Sequence, residues 1–182
     1  MAQVNKKKSL SLARAILAAL WHAKSFSIKS IPKHPYVQLL SNDKKAATYR
    51  STISRLTNSN LVKRGDGVLT LTETGRRESL FAFIAAESVL YKTNFFQKWD
   101  NAWRILFFDI PEAKRRHRDY LRKVLRQVGF KELQKSIWVY PYPVPSFLKE
   151  LLLYDDIRPH TRFITTDSLD EDLDLKKRFN LG

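Results

Sequence analysis

The chain has 182 residues, 43% hydrophobic and 28% charged, with 33 Lys plus Arg against 18 Asp plus Glu and a formal net charge of +15. This is a globular composition, and its cationic surplus points to a polyanionic partner, either nucleic acid or an anionic membrane surface. The absence of cysteine excludes a disulfide scaffold, a zinc finger and a thiol nucleophile, and fits a reducing cytoplasm.

No apolar run approaches the ~20 residues of a membrane span. Lys6-Lys7-Lys8 followed by Leu10 to Leu20 has the outline of a signal peptide, but Arg14 interrupts it and no small-residue cleavage site follows. Leu12, Ile16, Leu17 and Leu20 recur at helical spacing and predict a packed helix to about His22, capped by Ser9 or Ser11. The charge is uneven. Residues 1–66 hold 13 basic and 2 acidic side chains, residues 67–102 hold 4 and 4, residues 103–165 hold 13 and 7, and residues 166–182 hold 3 and 5. The N-terminal third is therefore the first place to seek a phosphate-binding surface.

Pro32 and Pro35 bracket a break, and a short helix is expected over Tyr36 to Leu40. Ser41-Asn42-Asp43 supplies capping residues for a further helix over about Lys44 to Asn58. Its apolar face is Tyr49, Thr52, Ile53 and Leu56. Its opposite face, Lys44, Ala47, Arg50, Ser51, Ser54, Arg55 and Asn58, is basic, short and rich in hydroxyls, and Lys45 and Thr48 join its polar residues as candidate DNA contacts. A helix in a DNA major groove needs such side chains: small ones for close approach, Arg and Ser to reach bases and phosphates. Leu61 to Arg64 and Val68 to Leu71 read as two strands joined by an Asp66-Gly67 turn, with Lys63 and Arg64 on a wing. This order predicts a winged helix-turn-helix, with phosphate contacts from Lys6–Lys8, Lys44, Lys45, Arg50, Arg55, Lys63 and Arg64.

Thr72-Glu73-Thr74-Gly75 opens another helix, and Arg76 to about Lys92 reads as helical. The aromatic cluster of Phe95, Phe96, Trp99 and Trp103 reads as core or interface rather than a base-stacking platform, because few cations interleave with it. Arg104 to Ile110 is a buried strand ended by Pro111. The helix that follows runs to Val128 and closes at Gly129. Its inner face is His117, Leu121, Val124, Leu125 and Val128, and its outer stripe is Arg115, Arg118, Arg122 and Arg126. Either the stripe is solvated or it contacts phosphate; so many cations favour phosphate. Leu133 to Tyr140 is extended and bends into two strands, Phe147 to Leu153 is a short helix, and Thr161 to Thr165 is a last strand.

The expected fold class is α+β. A winged helix-turn-helix spans 1–75, a helical connector 76–100, a ferredoxin-like (βαββαβ) dimerisation domain 101–166 and an acidic tail 167–182. In the tail, Leu169, Leu173, Leu175 and Phe179 either belong to a solvated end or clip onto a partner protomer.

Trp99-Asp100, Trp103-Arg104, Phe108-Asp109-Ile110-Pro111-Glu112, the Arg-rich helix, Gly129-Phe130, Leu133-Gln134, Ile137-Trp138-Val139 and Pro141 together resemble the central domain of PaaX-type transcriptional repressors. The N-terminal third resembles that family's winged helix at Arg50, Ser51, Ser54-Arg55-Leu56 and the Leu61–Arg64 strand. The resemblance covers about residues 10–165. The central domain is in turn similar to the second CRISPR-associated protein of spacer acquisition, a homodimeric ferredoxin-like subunit. The shared residues here are Asp109, Arg115 to Arg126, Gln134 and Ser136. The chain is shorter than the repressors it resembles, so their C-terminal region is expected to be missing or reduced.

These readings lead to a cytoplasmic, homodimeric, sequence-specific binder of double-stranded DNA that acts as a repressor, without a cofactor and with room for a small-molecule effector. The alternative is a divalent-metal nuclease, or a CRISPR-like nucleic-acid scaffold, with Asp109 as catalytic ligand to Mg²⁺ or Mn²⁺. Against it, Asp109 is expected to cap the helix after Pro111 or to pair with a nearby Arg. A non-catalytic RNA binder is a third reading. No other constellation survives: the four histidines are scattered, and the Asp170, Asp172, Asp174 series lacks the Gly and Glu of a calcium loop.

Overall fold

The structure is a computed structural model that describes residues 10–23, 25–40, 46–93 and 98–181. It is a mixed α+β chain that divides into two units, Met1–Glu87 and Ser88–Gly182.

In the first unit, helix α1 (Leu12–Leu20) starts where the Ser11 hydroxyl accepts from the Arg14 amide. Its Leu12 and Ala15 to Leu20 are buried. Strand β1 (Phe26–Ser27) follows, then a 3₁₀ turn (Ile28–Lys33) and helix α2 (Pro35–Gln38). Proline at the first position of α2 loses no hydrogen bond, and His34 Nδ1 accepts from the Tyr36 amide. Helix α3 (Ala46–Asn58) buries Thr52, Ile53 and Leu56, with Tyr49 half-buried, along the stripe that spacing predicts. Strands β2 (Val62–Gly65) and β3 (Val68–Leu71) form a hairpin whose turn residues, Asp66 and Gly67, have φ of 48° and 74°. Two positive φ values in a two-residue loop match the right-handed twist of the strands. The antiparallel sheet has the order β1-β3-β2. Two residues are too few to show a period, so β1 is invisible in the sequence.

Helix α4 (Glu73–Thr93) opens at the Thr72 to Gly75 segment, as the sequence suggests. Thr72 provides the reason: its hydroxyl donates to the Asn60 carbonyl and accepts from the Gly75 amide. A Cβ on Gly75 would sit 1.7 Å from the Leu61 carbonyl oxygen, so glycine is what lets this helix start against the strand.

The second unit is built on the antiparallel order β5-β6-β4-β7. Its strands are β4 (Trp103–Phe108), β5 (Lys131–Gln134), β6 (Ile137–Tyr140) and β7 (Thr161–Thr166), with a bulge between Glu132 and Gln134. Helix α5 (Arg115–Val128) buries Leu121, Val124, Leu125 and Val128, and lays Arg122 over Phe108 and Arg126 over Trp138. Helix α6 (Ser146–Leu152) buries Phe147, Leu148 and Leu151.

The C-terminal segment is neither a solvated end nor wholly available to a partner. Helix α7 (Leu173–Phe179) buries Leu175 against Trp103 and Val139, and Leu169, Phe179 and Leu181 join them. Leu173 departs from that group: it is 71% exposed.

Candidate nucleic-acid interface

The solvent side of α3 is made by helical spacing alone. With Thr52, Ile53 and Leu56 turned inward, Thr48, Arg50, Ser51, Ser54 and Arg55 are exposed together. Ser51 donates to the Thr48 carbonyl and Thr57 to that of Ile53, so local bonds hold these hydroxyls close to the helix. The helix carries no acidic residue. Among the described residues, neither Arg50 nor Arg55 makes an ion pair. Lys63 and Arg64 are exposed on β2, opposite Thr70 and Leu69, and they too lack an acidic partner among the described residues. These four cations keep their charge available to an outside anion. Lys44, Lys45 and Lys6–Lys8 lie outside the described residues, as do Ser41 to Asp43, Phe95 and Phe96.

The sequence reading missed Lys29. The Ile28 amide donates to the Gly67 carbonyl at 2.9 Å, which ties the end of β1 to the hairpin turn and leaves the exposed Lys29 one residue beyond it. The pairing of β1 with β3 thus sets Lys29 beside the turn of the hairpin whose first strand carries Lys63 and Arg64.

The arginine stripe of α5 differs in that its four side chains already have partners. Arg115 pairs with Glu112 and Asp119. Arg118 donates to Glu112 at 2.6 Å and to the Ile110 carbonyl. Arg122 donates to the Lys135 carbonyl and lies 3.7 Å from Asp119, and Arg126 reaches Glu132 at 3.5 Å. His117 sits half-buried against Tyr154, with Nε2 3.9 Å from Asp156. Its position on the inner side suits a packing role.

Asp109 is exposed at the end of β4. Its amide donates to the His160 carbonyl at 2.8 Å. The carboxylate does neither thing expected of it. The 3₁₀ turn after Pro111 (Glu112–Lys114) has no side-chain cap, and no ion pair among the described residues involves Asp109. It borders a cleft of ≈ 510 Å³ with Arg118, Arg122, Arg126, Glu132 and Lys135. No group of three or more potential metal-binding side chains occurs among the described residues. Two carboxylates, Asp109 and the Arg126-paired Glu132, among four cations are a poor donor set for Mg²⁺ or Mn²⁺, which favour several oxygens and a negative field. The residues present do not fit a metal.

The aromatic and charged signature around Trp99 to Arg104 has a structural explanation. Arg104 is buried and chelates both carboxylate oxygens of Asp100, and its guanidinium also donates to the Ala102 and Pro141 carbonyls at 2.9 Å. The Arg104 guanidinium holds the Asp100 carboxyl below its ordinary value. Trp99 and Trp103 pack ring to ring, and the Trp103 indole N–H donates to Asp172 at 3.0 Å. Among the described residues no helix is long and apolar enough to cross a membrane.

A solved structure described as the uncharacterized protein Rv0674 from Mycobacterium tuberculosis is similar at 17% identity and a TM-score of 0.40, over 93% of this chain and 67% of that one. No curated protein matches. Residues 96–177 match the family model described as the PaaX protein central Cas2-like domain. The motif at Trp99 to Pro141, and the antiparallel unit it holds together, lie within the stretch that is similar to this domain.

Proposed function

We propose that the chain is a sequence-specific binder of double-stranded DNA that acts as a homodimeric transcriptional regulator, most simply a repressor. The observation that carries this reading is the exposed face of α3, where Arg50 and Arg55 stand among Thr48, Ser51 and Ser54 with no acidic partner among the described residues. The order α1, β1, α2, α3 and then the β2–β3 hairpin supports a winged helix, with α3 as its recognition helix and Lys63, Arg64 and Lys29 as phosphate contacts beside it. The strand order β5-β6-β4-β7 with α5 and α6 supports a ferredoxin-like βαββαβ unit, the part that would dimerise. The family of residues 96–177 supports a regulator. A dimer would match a palindromic operator.

The test is fluorescence anisotropy with random and selected duplexes over a range of salt. Arg50→Ala with Arg55→Ala should weaken binding to all duplexes and flatten the slope of log affinity against log salt by about 2, near 0.9 per lost phosphate contact. Unchanged binding would remove α3 from the interface. Adding Mg²⁺, Mn²⁺ or EDTA should leave the DNA intact in every case, and metal-dependent cleavage abolished by Asp109→Ala would reverse the reading.

A further inference from the structure

The two edges of the second sheet are not alike. Edge β5 is exposed, but it carries Lys131 and Glu132, is interrupted by the bulge before Gln134, and has one carbonyl, that of Glu132, taken by the Arg178 guanidinium. These are the devices that stop a strand from recruiting another. Edge β7 has few of them. It runs six residues without a bulge, its one charged residue is Arg162, and that guanidinium covers only the carbonyls of Pro159 and Thr161 at the strand's start. Phe163 and Ile164 are 41% and 47% exposed on it. No strand lies on the far side of β7 among the described residues.

The charges at the two ends of β7 decide what fits there. Arg158, His160 and Arg162 mark its start, and Asp167, Asp170 and Glu171 follow its end. Arg158, Asp167, Asp170 and Glu171 form no ion pairs among the described residues. A second copy laid antiparallel sets the basic start of one strand beside the acidic end of the other, twice. A parallel copy would set like charges together.

We propose that β7 pairs with β7 of a second copy across a two-fold axis, in the register that sets Ile164 opposite Ile164, so that two four-stranded sheets join into one. This register places Arg162 opposite Thr166 and Phe163 opposite Thr165, and brings Arg158 of one copy toward Asp170 of the other. It rests on the homodimeric reading above and gives that dimer its surface.

The natural absence of cysteine makes a clean experiment. Directly opposed residues of antiparallel strands have Cα atoms about 4.5–5.5 Å apart, within the ~4.4–6.8 Å that a disulfide spans. Ile164→Cys, mildly oxidised, should therefore run as a covalent dimer on a non-reducing gel, much faster than the exposed control Leu173→Cys. Arg158→Asp should weaken the non-covalent dimer several-fold in sedimentation, and Asp170→Arg added to it should restore it. Thermal melts identify any variant that fails to fold, and the wild-type mass in solution is measured first. A monomeric wild type at all protein concentrations overturns both this pairing and the dimer. A dimeric wild type in which Ile164→Cys crosslinks no faster than Leu173→Cys overturns the pairing and leaves the dimer standing.

Discussion

Helices α3 and α5 are both cationic, and in the sequence α5 is the more cationic of the two. In the structure the order of interest reverses. Four of the five arginines of α5, Arg115, Arg118, Arg122 and Arg126, are held by Glu112, Asp119 and Glu132 and by the carbonyls of Ile110 and Lys135, and two of them lie over aromatic rings. Those of α3 have no acidic partner among the described residues. Charge that is already compensated gains little from a phosphate, because binding must first break the existing pairs. Charge without a partner keeps its full counterion-release contribution. The number of cations on a helix is thus a poorer guide to nucleic-acid contact than whether acids lie within reach of them.

The largest effect expected from this contrast is on DNA affinity. Arg50→Ala with Arg55→Ala should lower it by about tenfold or more, since each lost contact is worth on the order of 1 kcal/mol. Arg118→Ala with Arg126→Ala should leave it within about twofold and act on folding instead. A large loss of affinity from the α5 pair would break the comparison.

Next in size is the anchor of the second unit. Asp100→Ala removes the carboxylate that Arg104 chelates and leaves a buried guanidinium short of partners, at a cost of about 1–3 kcal/mol by chemical denaturation. Truncating Arg118 and Arg126 should cost less, because the carboxylates they pair with, Glu112 and Glu132, face solvent.

The smallest effect distinguishes the two units by pH. Burial lowers the His34 pKa, so the folded first unit resists a proton that the unfolded chain accepts. Its contribution is complete above the ordinary histidine value of about 6.5 and declines as pH falls below it. In the second unit, hydrogen bonds from Arg104, Lys114 and Lys176 hold Asp100, Asp156 and Asp172 below the ordinary carboxylate value. Their contribution is complete above about pH 4 and is lost as pH falls through the lowered folded values. Hydrogen exchange followed by segment should show the first unit loosening before the second on acidification. Simultaneous loosening would show that His34 contributes nothing separable.

What the sequence revealed follows from the range of the interactions involved. The buried stripe of α3, the Asp66-Gly67 turn and the inner face of α5 are set by neighbours within four residues, so their spacing shows them. The partners of Arg122 and Arg126 come from the β5–β6 hairpin, and the cover over Trp103 comes from Leu175 on the last helix. No local pattern encodes such pairings. The two-residue β1, and with it the placement of Lys29, is legible only once β3 is present to pair with it. Asp109 stands out in the sequence by its position at a strand end, a signal that says nothing about the arginines and lysine lining the same cleft.

The bulge in β5 has a consequence for how far assembly can go. A sheet with two receptive edges can keep adding copies and grow into a fibre. A sheet with one receptive edge that is satisfied by its own two-fold mate stops at two, and the kink between Glu132 and Gln134 discourages growth from the other edge of the same sheet.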